Sequence, residues 1–285
     1  MTKCPRDAHK CVTEGQPLHW DSPCLTYSVQ LDGSARSALD ADQVQGLAAE
    51  AFAIWQEAPC PGGGTPRFRT QFQGYVSCDR KNAVCGGADQ NVNVIMLHDQ
   101  GWPYRASDIG ITTPSGGVVS GLVFDADVEL NAQDYAFQVS DPDSTATSVR
   151  YVLAHELGHF LGLGHSDVDG ALMSEGYQSV PRDVSLLSAD DIAAICSAYP
   201  PGQPLTCAAP GAPAYDTCAP EPDPSECKIA SVSHDASGCA CRANPRGRPA
   251  PALLALGSLL ACLAVRRRIE GRIVRRASRA TRARL

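Results

Sequence analysis

The chain is poor in three things. Its opening segment MTKCPRDAHKC is charged with no hydrophobic stretch behind it, unlike an export signal. It has few basic residues over most of its length, since residues 1–241 hold 12 Lys or Arg against 30 Asp or Glu, a net of −18. That balance excludes an electrostatic nucleic-acid binder and suits an acidic, soluble body. It also lacks convincing internal repeats and any pair of cysteines at zinc-ribbon spacing, although it contains 13 cysteines. Twelve of these lie before residue 242, an even number that predicts disulfides in an oxidising compartment. Cys78 and Cys85 flank a short loop and form the best local pair, while the remaining connectivity is open.

The composition changes twice along the chain. Residues 200–251 carry eleven of the 21 prolines together with Cys207, Cys218, Cys227, Cys239 and Cys241, which reads as a stiff, disulfide-pinned stalk. A small disulfide-knotted module is the alternative. Next comes PAPALLALGSLLACLAV, residues 249–265, seventeen residues without a charge and the lower limit for a membrane-spanning helix. RRRIEGRIVRRASRATRARL follows with nine arginines. Basic residues after a span hold that side in the cytoplasm, so the acidic body belongs outside. Residues 242–285 net +11, from 12 basic and one acidic residue, and −18 with +11 gives the whole chain's −7.

Only seven histidines occur, and three fall within YVLAHELGHFLGLGHS, residues 151–166. Tyr151, Val152, Leu153, Ala154, Leu157 and Leu161 suit a buried helix, and His155 and His159, four apart, project from one face of it. Gly162 lets the backbone leave the helix, and the turn brings His165 back to the pair. Three neutral imidazoles suit one zinc ion and leave a fourth position for water. Glu156, beside the first ligand, is placed to take that water's proton. Ordinary helix-stop punctuation is the alternative reading of the glycines in this stretch, and it is compatible with the site. Satisfied or solvent-facing histidines on an ordinary helix are the alternative; five matching residues in eleven positions favour the metal.

HELGHFLGLGH resembles the zinc signature of the metzincins, and HSDVDGALM narrows the resemblance to the matrixins. Met173 then stands where that family has its Met-turn, a methionine beneath the metal that is not a ligand. Similarity extends over about residues 20–200. HWDSPCLTYSV looks like the matrixin opening strand, and DADQVQGLAAEAFAIWQEA like its first helix, with Asp40 or Asp42 as cap. GLVFDADVELN resembles the edge strand along the cleft, and LSADDIAAICSAY the last helix, with Ser188 as N-cap and Asp190 and Asp191 in its first turn. NVNVIML alternates as a strand. The resemblance implies a zincin-like α+β fold: a twisted mixed sheet, an active-site helix and a small lower subdomain ending in a third helix.

Several features depart from the family. No PRCGVPD-like propeptide segment occurs, so latency through a cysteine on the metal is not expected. Val123 stands where vertebrate matrixins have a histidine of a second, structural zinc, and His98 stands alone; one zinc is predicted. Asp125, Asp127 and Glu129 could bind calcium or could be exposed carboxylates that discourage edge pairing. After Met173 the chain reads SEGY, in which Tyr177 is the retained candidate for the substrate pocket.

The C-terminal region resembles the tripartite sorting signal of myxobacterial surface proteins (MYXO-CTERM), with Cys239 and Cys241 as its cysteine motif, then the span and the arginine cluster. It implies cleavage by a sorting protease and display at the cell surface, and it predicts a translation start upstream with a leader. The expected organisation is an arm over 1–19, a zinc metalloprotease domain over 20–200, a stalk over 201–238 and a sorting or anchor segment over 239–285. The expected activity is zinc-dependent hydrolysis of protein or peptide substrates, Glu156 acting as base, with the substrate pairing as an added strand along 116–124. No nucleic acid is expected as partner. Rival readings are a non-catalytic surface module and a tethered structural protein with incidental zinc.

Overall fold

The first long helix starts where the sequence supplies a cap. The Gln43 amide donates to Asp40 Oδ1 at 2.8 Å and the Asp40 amide donates to Gln43 Oε1 at 2.9 Å, a reciprocal box that opens α1 (Ala41–Gln56). Val44, Leu47, Ala48, Ala51, Phe52 and Trp55 recur at helical spacing and are all buried. The computed structural model describes residues 16–81, 91–117, 120–139, 147–175 and 187–213, all within one unit spanning 1–243; the second unit, 244–285, lies outside the described residues.

The sheet is mostly parallel. Strands β1 (His19–Trp20), β2 (Cys24–Gln30), β3 (Arg69–Val76), β4 (Val94–Leu97) and β6 (Leu122–Leu130) run parallel in the order β1-β6-β4-β2-β3. β5 (Gly110–Gly116) pairs antiparallel with β6, and among the described residues it pairs with no other strand. A separate short pair joins β7 (Phe137–Gln138) to β8 (Thr147–Ser148). Ser148 then caps α2 (Val149–Phe160), accepting from the Tyr151 amide.

Both long helices cover one face of the sheet. The Trp55 indole donates to Ala154 O at 2.9 Å, and Phe52 meets both Tyr27 and Phe160 at ring separations of 5.0 and 5.3 Å. Gly162, at φ +91°, turns the chain out of α2, as its position after the helix predicts. The lower part ends in α3 (Ala189–Ala198), capped by Ser188. Ile195 anchors it in the core, and the Tyr199 hydroxyl donates to Leu161 O at 2.9 Å.

Two expectations about the sheet need correction. β6 is not an edge strand; the edge is β5, one strand earlier in the chain. Asp125, Asp127 and Glu129 are likewise not exposed, each being about 1% accessible. Strand alternation sends Ala126, Val128 and Leu130 into the main core and these three carboxylates to the opposite face, where Val94 and Met96 form a second apolar cluster. A second layer covers that face: Tyr104 donates to Glu129 Oε2 at 2.5 Å, and the His98 ring pairs with Glu129 Oε1 at 3.0 Å. His98, read as solitary, therefore has an acidic partner.

Disulfides join Cys24 to Cys207 and Cys60 to Cys196. The start of the proline-rich segment is held on the body. Gln71 and Gln73 of β3 donate side-chain amide bonds to Ala208 O and Ala212 O at 2.9 and 3.2 Å. Cys78 is also disulfide-bonded, while Cys85 lies outside the described residues. Among the described residues no helix is long and apolar enough to cross a membrane, and the apolar stretch 249–265 lies outside them.

Candidate active site and metal centre

α2 presents His155 and His159 one turn apart, and the Gly162 turn returns His165 to them. Their candidate ligand nitrogens lie within 4.8 Å of one another, the one such group of three or more among the described residues. His159 is buried and the other two are half-buried, so the centre sits at the floor of an accessible surface. The Nδ1 atoms of His155 and His159 lie 2.7 and 2.8 Å from the carbonyls of Leu172 and Leu163. Donation there fixes the tautomer and leaves each Nε2 as a bare lone pair. His159 Nε2 lies 3.2 Å from His165 Nε2. Two imidazole nitrogens on a tetrahedral zinc are about 3.3 Å apart, so this donor set fits zinc. Burial, together with the neighbouring charges of His155 and His165, holds His159 well below the usual histidine range, which keeps it neutral and able to ligate.

Met173 packs against α2 at Gly158. A Cβ added at Gly158 would sit 2.3 Å from Met173 Sδ and 2.9 Å from Trp55 Cζ2. Gly158 is thus no helix stop; it is the mid-helix position where the Met173 thioether reaches the backbone of α2. The Met173 loop is in turn fixed by α3. Asp191 accepts from the Leu172 and Met173 amides at 2.8 and 3.1 Å, and from the Ser188 amide and hydroxyl at 2.9 and 2.7 Å. Asp190 accepts from the Ser166 hydroxyl at 2.6 Å. The sequence placed both aspartates only as first-turn residues of a helix; their second task depends on a loop that α3 meets only in the folded chain.

Glu156 is buried against β5. The Thr112 hydroxyl lies 2.7 Å from Glu156 Oε2 and 2.9 Å from Glu156 O. Burial pushes the Glu156 carboxyl up from its ordinary range, opposed by the charge of His155 and by the Thr112 bonds. Sequence reasoning missed Thr112 and Gly110, because a threonine and a glycine in a strand carry no motif. Tyr177, Cys239 and Cys241 lie outside the described residues.

The mostly parallel sheet with an antiparallel edge strand, the helix that carries two of the histidines and the triad itself are consistent with a metzincin-like fold. Residues 105–200 match the family Matrixin, peptidase M10. The chain is similar to Matrix metalloproteinase-C of Caenorhabditis elegans, 27% identical over 209 residues, covering 69% of this chain and 31% of the relative. It is also similar to Matrilysin of Rattus norvegicus, 40% identical over 60 residues, 21% of this chain and 22% of the relative. Metalloendoproteinase 1-MMP of Arabidopsis thaliana is 24% identical over 199 residues, 70% and 49% of the two chains. The chain thus spans less than half the length of these curated relatives.

Proposed function

We propose that the protein is an exported zinc endopeptidase in which Glu156 is the general base. The observation that carries this reading is the placement of a buried carboxylate, one residue from a zinc-fitting histidine, on the helix flanking a sheet edge that no other described strand pairs with. His155, His159 and His165 would hold the metal. When bound, zinc would polarise the scissile carbonyl and acidify the attacking water. Glu156 takes a proton from that water as the new C–O bond forms, then delivers it to the amide nitrogen as the C–N bond breaks. The raised proton affinity of the buried carboxyl suits both halves of this exchange. A peptide chain adds as a strand to the outer edge of β5, which among the described residues pairs only with β6 and replaces the segment 116–124 as the docking backbone.

Two long-range disulfides support an oxidising, extracytoplasmic location. Display at the cell surface after processing at Cys239 and Cys241, or anchoring through 249–265, rests on the sequence pattern. One observation favours calcium as a second cation. Asp125 Oδ1 has no hydrogen-bond partner although the residue is buried, and Asp127 stands close enough to raise its proton affinity.

The test is peptide-library cleavage by the zinc-loaded protein against a chelated control, with Glu156→Ala beside it. The expected result is cleavage that chelation abolishes, and a variant that keeps its zinc while activity falls by roughly 10²–10⁴-fold or more. A Glu156→Ala protein that cleaves at the wild-type rate would refute the mechanism, and wild-type protein that holds zinc without cleaving would favour a surface module.

A further inference from the structure

We infer that β5 sets the orientation of the catalytic carboxylate: Thr112 pins Glu156 Oε2 and Gly110 leaves room for Oε1, so that Oε1 is the oxygen that handles the proton. The inference rests on the reading of Glu156 as the base. Thr112 is 1% accessible, and its hydroxyl reaches Oε2 at 2.7 Å and the Glu156 carbonyl at 2.9 Å. A hydroxyl has one proton to donate, so these acceptors compete. While the carboxylate is ionised, the charge-assisted bond to Oε2 is the stronger.

Gly110 supplies the complementary half. A Cβ built there would lie 2.8 Å from Glu156 Oε1, 2.9 Å from Cγ and 3.0 Å from Cδ. Any side chain at 110 would displace the carboxylate or the strand. The φ of Gly110 is not in the left-handed region, so the requirement is space, not backbone freedom. Two residues spaced by two on one strand therefore face the same carboxylate, one by contact and one by vacancy. The same strand offers its other edge to the substrate, so the docked chain and the base share one rigid reference. Thr112 is accordingly a positioning residue, acting through Glu156.

The test uses the zinc-loaded full chain carrying Thr112→Val, Thr112→Ser or Gly110→Ala, with kcat and KM measured separately and zinc content and crystal structures determined for each. A hydrogen bond to a charged group corresponds to roughly 10- to 100-fold in rate, so Thr112→Val should lose about that much kcat. KM and zinc content should hold, because the side chain faces inward, and Thr112→Ser should restore most of the rate. The Thr112→Val structure should show the carboxylate turned off its wild-type position. Gly110→Ala carries the test if Thr112→Val does not fold, and it too should lose kcat with zinc retained. Wild-type kcat in a folded, zinc-loaded Thr112→Val or Gly110→Ala protein overturns the inference alone. A wild type that cleaves no peptide at all removes the function proposed above and this inference with it.

Discussion

Replacing Asp191 with alanine removes the acceptor of four hydrogen bonds at once. Two of the donors, the amides of Leu172 and Met173, belong to residues 5% and 2% accessible, so they lose their acceptor in a buried setting. Each buried amide left without an acceptor costs about 1–3 kcal/mol. The other two donors, from Ser188, are partly exposed and recover solvent, leaving the loss of half a capping box at about 1 kcal/mol. The expected destabilisation is therefore about 3–7 kcal/mol, a large share of the ~5–15 kcal/mol typical of a folded domain. A second effect should appear at the metal. Leu172 donates its amide to Asp191 and accepts from His155 Nδ1, so the loop that orients a ligand imidazole loosens with the mutation. Loss of such an outer partner typically weakens metal binding by roughly 10- to 100-fold. Urea unfolding and competition for zinc with a chelator measure the two effects, and Asp191→Asn, which keeps an acceptor oxygen, should lose much less of both. A loss below about 1 kcal/mol for Asp191→Ala with unchanged zinc affinity would refute the argument.

Gly158→Ala should destabilise the fold by about 1–3 kcal/mol in thermal or urea melts, although alanine is the better helix former, because its methyl would meet Met173 Sδ at 2.3 Å; a neutral or stabilised variant contradicts the packing described. Asp125 has a pKa raised by burial and by Asp127, so the folded state binds a proton that the unfolded chain has released above about pH 4. Its contribution is present below that pH and is lost as pH rises through the folded value. Asp125→Asn should therefore gain stability relative to wild type at pH 8 and lose that advantage near pH 4, with calcium raising the melting temperature of wild type only; a pH-independent difference defeats the account.

Legibility in the sequence followed the range of the interaction. α1, the Ser188 cap of α3 and the spacing of His155, His159 and His165 are written within a few residues of one another and are found where expected, and of the two aspartates offered as the cap of α1 it is Asp40 that serves. Resemblance of GLVFDADVELN to an edge strand puts the edge one strand too late, because a strand's own residues do not say which strands lie alongside it. The three carboxylates of β6 looked solvent-facing for the same reason: the cover over them comes from His98 and Tyr104, in a segment without periodicity. Cys24–Cys207 and Cys60–Cys196 close separations of 183 and 136 residues, which no local spacing encodes. Thr112 and Gly110 become meaningful only when β5 is laid beside α2.

Those two bridges are nested, one loop inside the other. His155, His159, His165, Glu156, Met173, Thr112 and Asp191 all lie between Cys60 and Cys196, within the inner ring. A single cut anywhere in that interval leaves the two pieces tied together at both bridges, so neither can diffuse away from the other. The fragments then refind one another as parts of one molecule, at an effective concentration set by the tether and not by dilution. The nesting keeps a once-cut chain together as one covalent molecule. Nicked protein would migrate as one species until its disulfides are reduced.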